Sequence, residues 1–214
     1  CFSDSPSYWQ YMVRLDPPQG SWAVSYARTV VESVVRDGDR PPVPDDVDDV
    51  FEIDRGAFVT LRKNEALRGC IGRPRPRQTA VEAIREAGNG AATEDPRFPP
   101  VTQSELGDIT VEVSVLTPFE PIDVDEPDEY ENEIRIVRDG LVVSKGQRRG
   151  LLLPQVPLGR DWDVETFLGQ TCKKAGLPRN AWQSEDVTVE RFGAQVFKEQ
   201  EPRGPVVQVE LHEE

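Results

Sequence analysis

Apolar residues recur at helical spacing in three stretches of the chain. The first runs from Ser21 to Gly38, residue types that commonly begin and end helices. The second follows Thr79, which forms a capping box with Glu82, and the third follows Asp163. Each stretch predicts a helix with one buried face. The three faces are Ala23, Ala27, Val30, Val31 and Val34; Ala80, Ala83, Ile84, Ala87 and Ala91; and Val164, Phe167, Leu168, Cys172 and Ala175.

Strict alternation of apolar and polar residues predicts strands between the first two helices and after the second. Residues 56–63 alternate, and an Asn-Glu pair then turns the chain back into a second strand at 67–71. The longest strand signal is 108–116, where Ile or Val occupies every second position. Glu112 and Ser114 therefore share the opposite face of that strand.

Short apolar runs in the carboxyl-terminal half predict further strands. Residues 133–137 and 141–144 flank Asp139-Gly140, a pair typical of hairpin turns. Because hairpins alternate with a few helices and no βαβ unit repeats, we expect an α+β fold rather than a doubly wound sheet. The other strands are expected at 151–153, 187–192, 194–198 and 205–211.

The net charge of the chain limits the classes of molecule that it is expected to bind. It has 39 acidic and 25 basic residues, for a net charge of −14. Dense carboxylates hold hydration when salt screens ordinary repulsion, so the composition suggests a salt-adapted protein from a halophile. The same charge makes a general nucleic-acid binder an unfavoured class, because such proteins present basic surfaces to phosphate.

Hydrophobic patterning and cysteine content bear on the cellular compartment. The chain is 37% hydrophobic and has neither a membrane-length apolar run nor a basic-then-apolar signal sequence. Its three cysteines, at positions 1, 70 and 172, are too far apart in sequence for a local metal knuckle. We expect a cytoplasmic protein with reduced thiols and no membrane association.

The ends of the chain are expected to lie outside the folded domain. Residues 1–20 include Cys1, the only methionine and a Pro-Pro-Gln-Gly stretch, and are predicted to be a poorly ordered extension. Whether residues 1–11 belong to the native protein stays open. The domain is expected to span 21–199, and 200–214 to form a tail or a short edge strand.

One hexapeptide carries a resemblance to a known family. Residues 67–72, Leu-Arg-Gly-Cys-Ile-Gly, resemble the signature of the AMMECR-domain family, named for the chromosomal region of Alport syndrome, midface hypoplasia and elliptocytosis. The resemblance runs from about Trp22 to Glu199, and the chain is most similar in kind to prokaryotic and archaeal members of the family. Other blocks that agree in order are 55–61, 95–98, 111–116, 139–141, 151–156 and 174–178.

The resemblance implies a fold and a set of associations more than a reaction. The implied fold has two closely packed lobes around an antiparallel sheet, with the signature segment lining a cleft between them. Family members have no settled reaction. In prokaryotes they are associated with a Memo-type metalloenzyme-like protein and a radical-SAM protein, which points to work in a modification pathway.

Cys70 is the candidate nucleophile of the signature segment. A reactive thiol needs thiolate character, which nearby cations favour, and segment 62–77 is rich in arginine. Alternation puts Arg68 on the same strand face as Cys70. The alternative is that Cys70 is a small buried hydrophobe and Arg68 the partner of a buried carboxylate such as Glu112.

Histidine-assisted mechanisms are disfavoured, since the only histidine is His212, beyond the matched region. Glu112 or Asp95 is left as the acid or base for a cysteine or carboxylate mechanism. The sequence contains no set of histidines and cysteines at the spacing of metal ligands, and no phosphate-binding glycine loop. We expect no metal and no cofactor of the protein's own.

Further residues are candidates for binding, each with a structural alternative. Gly69 and Gly72 permit close approach of a ligand or of another strand. Asp95 and Arg97 either present charge to a ligand or fasten their loop. On its strand, Ser114 suits a cleft floor or a solvent-facing surface, and the Gln155 amide can orient a bound group or satisfy a strand end. Cys172 lies on an apolar helix face and is expected to be core.

Three functions are compatible with these residues. The first is an enzyme or substrate-binding protein whose basic, cysteine-bearing cleft takes a small anionic molecule. The second is a non-catalytic interaction module for a Memo-type and a radical-SAM protein. The third is RNA binding through segment 62–77, which the net charge and the scarcity of nearby aromatic residues disfavour.

Overall fold

The computed structural model describes residues 14–74 and 77–210 of the chain. They form two compact units, one made of residues up to Thr117 together with Gln195–Val209, the other of Pro118–Ala194. Predictions that concern residues 1–13, including Cys1, and His212 fall outside the described residues. The helices are α1 Pro17–Asp37, α2 Ala80–Thr93, α3 Tyr130–Glu133 and α4 Val164–Lys174, and the strands are β1 Ala57–Lys63, β2 Ala66–Arg73, β3 Ile109–Leu116, β4 Glu120–Pro121, β5 Gly140–Lys145, β6 Arg148–Leu152, β7 Thr188–Phe192, β8 Ala194–Glu199 and β9 Val206–Val209.

The first unit is a five-stranded sheet with strand order β2-β1-β3-β8-β9. Antiparallel pairing joins β1 to β2 and to β3, and β8 to β9. Helices α1 and α2 pack on the sheet face that carries the alternating apolar residues of β1 and β3. The predicted apolar faces of both helices are confirmed as core, since every residue assigned to them is buried.

Helix α1 begins earlier than the sequence pattern predicted. Asp16 is its N-cap: the carboxylate accepts the Gln19 N–H at 2.8 Å, and the Gln19 side chain accepts the Asp16 N–H at 2.9 Å. Proline suits this first turn because its missing N–H would have no helical partner there. The Ser21 cap is therefore wrong. The predicted extension does not hold from residue 14 onward either, because Leu15 is buried and its N–H donates to the Gln195 side chain at 2.7 Å.

The second unit is a four-stranded sheet with strand order β4-β7-β5-β6, accompanied by α3 and α4. The hairpin predicted at Asp139-Gly140 is wrong. The chain before Gly140 forms α3 and a turn, and Asp139 closes that turn by accepting the Arg135 N–H at 2.8 Å. The hairpin lies one turn later, between β5 and β6, where Gly146 has a φ of 58°. Asp163 caps α4 as predicted, and Cys172 on that helix is fully buried.

Antiparallel sheets combined with separate helices confirm the α+β class. No helix within the described ranges is both long and apolar enough to cross a bilayer. The cleft between lobes that the resemblance implies stays a prediction. Near the carboxyl end, Val206–Val209 forms the edge strand β9 of the first sheet.

Candidate functional site

The signature hexapeptide lies on β2, the edge strand of the first sheet. Its pairing with β1 shifts by one residue, so that Leu61 faces Gly69 while Arg62 faces Leu67. Arg68 is the extra residue of the resulting bulge. Bulges redirect side chains and end regular pairing at sheet edges. The hexapeptide therefore combines a regular half around Cys70 with an irregular half around Arg68.

The backbone of Cys70 is bound by an Asp–Arg pair from the loop after α2. The Asp95 carboxylate accepts the Cys70 N–H at 2.8 Å, and Arg97 Nη2 donates to the Cys70 carbonyl oxygen at 3.2 Å. The pair is itself joined by bonds of 2.9 and 2.7 Å from Arg97 Nε and Nη2. One amide and one carbonyl of the exposed strand edge are thus satisfied by side chains instead of by a neighbouring strand.

Asp95 is held as a carboxylate. Hydrogen bonds from the Arg97 guanidinium lower the pKa of Asp95 far below its usual range, and the backbone N–H groups of Cys70 and Arg97 lower it further, although burial acts the other way. The pKa of Arg97 is raised, mainly by Asp95 and to a smaller extent by the Cys70 side chain. Asp95 is therefore unsuited to the acid or base role considered for it. It fastens the loop, while Arg97, with 53% of its side chain exposed, remains accessible.

Arg68 also fastens this loop. Its guanidinium forms a two-point contact with Glu105 at 2.9 and 3.0 Å and donates to the carbonyl oxygens of Pro99 and Pro100 at 3.0 and 3.3 Å. The suggested partner Glu112 is thus wrong. The hydrogen bonds from Arg68 are the main reason that the pKa of Glu105 is lowered to about 2. Its capping pattern with Thr102 is visible in the sequence, but its pairing with Arg68 is not.

The two glycines of the hexapeptide lie close to other parts of the protein itself. A Cβ on Gly69 would overlap the backbone carbonyl oxygen of Ala91 in α2. A Cβ on Gly72 would overlap the Phe58 ring of the neighbouring strand. Of the two alternatives that the sequence left open, close packing within the fold accounts for both residues.

A row of polar side chains crosses the sheet on the face opposite α1 and α2. In register, Cys70 lies beside Thr60 and Thr60 beside Glu112. Thr60 Oγ1 and Cys70 Sγ are 3.3 Å apart. With strands spaced about 4.8 Å apart, the backbones of Cys70 and Glu112 are separated by roughly 10 Å. Sequence reasoning did not include Thr60 in the site, although alternation alone puts it on this face.

Glu112 is the unusual ionisable group of this row. Only 14% of its side chain is exposed, and the nearest cation, Arg62 Nε, lies 3.8 Å from its carboxylate. Burial raises the pKa of Glu112, and the charges of Arg62 and Lys198 offset that rise in part. Ser114, one position along the same face, is buried to 1% exposure. A carboxyl with a raised pKa keeps its proton more readily than an ordinary glutamate, which suits the role of an acid.

The basic segment 62–77 is largely neutralised where it is described. Arg62 pairs with Glu112 of β3, and Lys63 pairs with Glu105, which precedes β3. Arg73 pairs with Glu86 at 2.9 Å. Residues 75–76 lie outside the described part of the chain. Paired arginines offer less positive potential to phosphate than their number suggests, which further weakens the case for RNA.

The remaining candidates lie elsewhere. Gln155 belongs to the second unit, in the turn after β6, and its inclusion in the site stays a prediction. Burial raises the pKa of the Cys172 thiol, as expected of a core cysteine. Within the described residues, no group of three or more histidine, cysteine or carboxylate side chains is arranged to hold a metal ion.

Comparison with known proteins extends the match over most of the chain. The family model described as AMMECR1 matches residues 24–197. The chain belongs to the AMMECR1 family. Protein MJ0810 of Methanocaldococcus jannaschii is 49% identical over 195 residues, which cover 90% of this chain and 96% of that protein. A protein of Methanothermobacter thermautotrophicus is 50% identical over 185 residues, covering 86% and 96%.

A solved crystal structure supports the fold. The crystal structure of the uncharacterized protein PH0010 from Pyrococcus horikoshii matches with a TM-score of 0.87 and 44% identity, covering 92% of this chain and 99% of that one. The α+β arrangement of this chain is therefore that of a solved relative.

Proposed function

We propose that the strand face around Cys70 binds a small anionic molecule and that Cys70 acts on it chemically, with Glu112 as acid or base. The observation that carries this proposal is the row Cys70–Thr60–Glu112, which joins a partly exposed thiol to a buried carboxyl of raised pKa on one face of the sheet. The Glu112 carboxyl takes no part in the loop-fastening contacts of Arg68 and Asp95, and Asp95 reaches Cys70 only at its backbone N–H.

The anion would be recognised by arginine. Arg97 keeps about half of its side chain exposed while its inner edge is fixed by Asp95, and it lies over the Phe98 ring at 5.6 Å. Arg62 is 38% exposed beside Glu112. A pre-positioned guanidinium loses less conformational entropy on binding a carboxylate or phosphate than a free one. Gly69, Gly72 and Ser114 would then shape the surroundings rather than contact the anion directly.

The pH dependence of Cys70 alkylation tests the proposal. Iodoacetamide would be applied to a Cys1→Ser background at several pH values, with modification sites read by mass spectrometry. Cys172 is the internal control, because it is fully buried. We expect Cys70 to react at neutral pH, Glu112→Gln to change its pH profile, and Arg97→Gln to slow its reaction with the anionic reagent iodoacetate more than with neutral iodoacetamide. If both thiols stay inert until the protein unfolds, Cys70 is core and the enzyme proposal is abandoned.

The second candidate is a non-catalytic module that binds a Memo-type and a radical-SAM protein. It is favoured because the charged residues Arg68 and Asp95 of the matched blocks mainly hold the loop in position, Arg68 through Glu105. Purified candidate partners from one host would be tested by size-exclusion chromatography. On this proposal Cys70→Ser binds them as wild type does, whereas Asp95→Asn, which frees the loop, binds more weakly.

The acidic composition bears on the cellular environment in which the protein works. We propose that the protein works in the reducing cytoplasm of a salt-accumulating host, where a net charge of −14 keeps molecules hydrated and apart. Solubility measured against KCl concentration tests this. We expect solubility and thermal stability to be kept or to rise as the KCl concentration increases, and a loss of both would contradict the proposal.

A further inference from the structure

An open groove with an apolar floor lies within the second unit, among residues that have no part in the Cys70 proposal. Two adjoining cavities, of about 510 and 570 Å³, share Glu126, Pro127, Tyr130, Trp182 and Gln183 in their walls. Because they share these residues, the two cavities lie next to each other on the surface of the second unit. Together we call them the acidic groove, which is bounded by residues 121–131, by the first turns of α4 and by residues 182–189.

The floor of the acidic groove is apolar and aromatic. Tyr130 and Trp182 are 6% and 8% exposed, and their rings meet edge to face with centroids 6.0 Å apart. Val164 and Leu168 of α4 extend the apolar surface. Burial raises the pKa of Tyr130, and the Asp123 carboxylate raises it further, so negative charge lies close to this floor. An apolar body with cationic groups would match the floor and its surroundings together.

The rim of the acidic groove is one-sided in charge. Its walls include seven Asp and Glu residues, five of them within 123–131 and the others Glu165 and Glu185, and no Lys or Arg. Across residues 14–74 and 77–210, none of these seven carboxylates forms an ion pair. The contrast is with Glu86 and Glu105 of the first unit, which both have cationic partners. Unpaired like charges around a concave apolar surface leave a cation as the complementary occupant.

We infer that the acidic groove is a docking site for a basic, apolar-anchored peptide segment of a partner protein. Two neighbouring cavities with seven carboxylates in their walls fit a chain that bears several cations better than a single small cation. A metal ion is not the occupant that the described residues favour, since no three carboxylates converge. The chain's own segments 1–13 and 211–214 contain no Lys or Arg and cannot supply the charge.

The test uses the full-length protein and a short fluorescent peptide of Lys, Arg and Leu residues. Two matched peptides serve as probes of mechanism: one carries Glu at every cationic position, the other Ser at every Leu. Binding is followed by fluorescence anisotropy at about 0.15 M and about 1 M KCl. We expect the basic, leucine-containing peptide to bind, the acidic peptide not to bind, and the serine peptide to bind several-fold more weakly. Hydrogen exchange should slow on binding in 123–131 and 164–168.

A pair of triple variants separates the groove from general charge. The groove variant is Asp128→Asn, Glu131→Gln and Glu165→Gln, and all three residues are exposed. The control, Asp39→Asn, Asp45→Asn and Asp46→Asn, removes the same charge from an exposed loop of the first unit. We expect about a tenfold loss of affinity in the first and less than about twofold in the second. Equal losses in both, or displacement of the peptide by spermidine at its own micromolar affinity, would overturn the proposal.

Discussion

At the scale of single residues, Asp95 holds the Cys70 backbone and the Arg97 side chain together through hydrogen bonds. Its carboxylate accepts bonds from the Arg97 side chain and from the backbones of Arg97 and Cys70. Asp95→Asn would leave donors unsatisfied and remove the charge facing Arg97. We expect the free energy of unfolding at neutral pH to fall by about 2–4 kcal/mol. Urea denaturation measures it, with exposed Asp46→Asn as a control that should change little.

The pH dependence of that loss has a defined sign. Because the pKa of Asp95 is lowered on folding, its ionised form stabilises the folded state fully above the unfolded value of about 3.9. That stabilisation disappears as the pH falls through the folded value. The difference between wild type and Asp95→Asn should therefore be largest at neutral pH and shrink below about pH 4. A difference that grows on acidification would contradict this account.

Glu112 predicts the opposite effect on stability. Burial raises its pKa, so above the unfolded value of about 4.3 the ionised group favours the unfolded chain, and below that value the penalty vanishes. Glu112→Gln should raise the free energy of unfolding at neutral pH by roughly 0.5–2 kcal/mol, with a gain that fades toward acid pH. Urea denaturation compared with exposed Glu52→Gln checks it. A residue that destabilises its own fold and whose replacement alters Cys70 reactivity would be one retained for function.

At the scale of elements, the contact between β2 and α2 depends on the absence of a side chain. Gly69 faces the Ala91 carbonyl oxygen so closely that a Cβ would force strand and helix apart. Gly69→Ala should lower the free energy of unfolding by about 1–3 kcal/mol. Gly107→Ala is the matched control, because no atom lies within 4 Å of the Cβ position there. Thermal unfolding of both variants gives the answer, and equal shifts would show that β2 and α2 are free to separate.

The elements also show what a sequence can and cannot predict. Helix α2, the alternating strands β1 and β3, and their core faces were predicted correctly, because period and capping are local signals. The start of α1 was missed, because residues 1–20, with their Pro-Pro pair, were predicted to be a poorly ordered extension, whereas that pair lies in a first turn capped by Asp16. The partner of Arg68 was missed for another reason. Glu105 reaches it across the fold, and no local pattern distinguishes that carboxylate from Glu112.

At the scale of the whole molecule, the net charge of −14 should act unevenly. Carboxylates of the first unit such as Glu86 and Glu105 have cationic partners, whereas those of the acidic groove form no ion pair among the described residues. Raising KCl from about 0.1 M to 1 M shortens the screening length from about 10 Å to about 3 Å and weakens repulsion among like charges. We expect amide exchange to slow more in 123–131 than in 80–93. The groove triple variant should lose most of that difference, and the loop triple variant should retain it. Uniform slowing across both segments would mean that salt acts on the chain as a whole, through hydration, rather than on the charges of the groove.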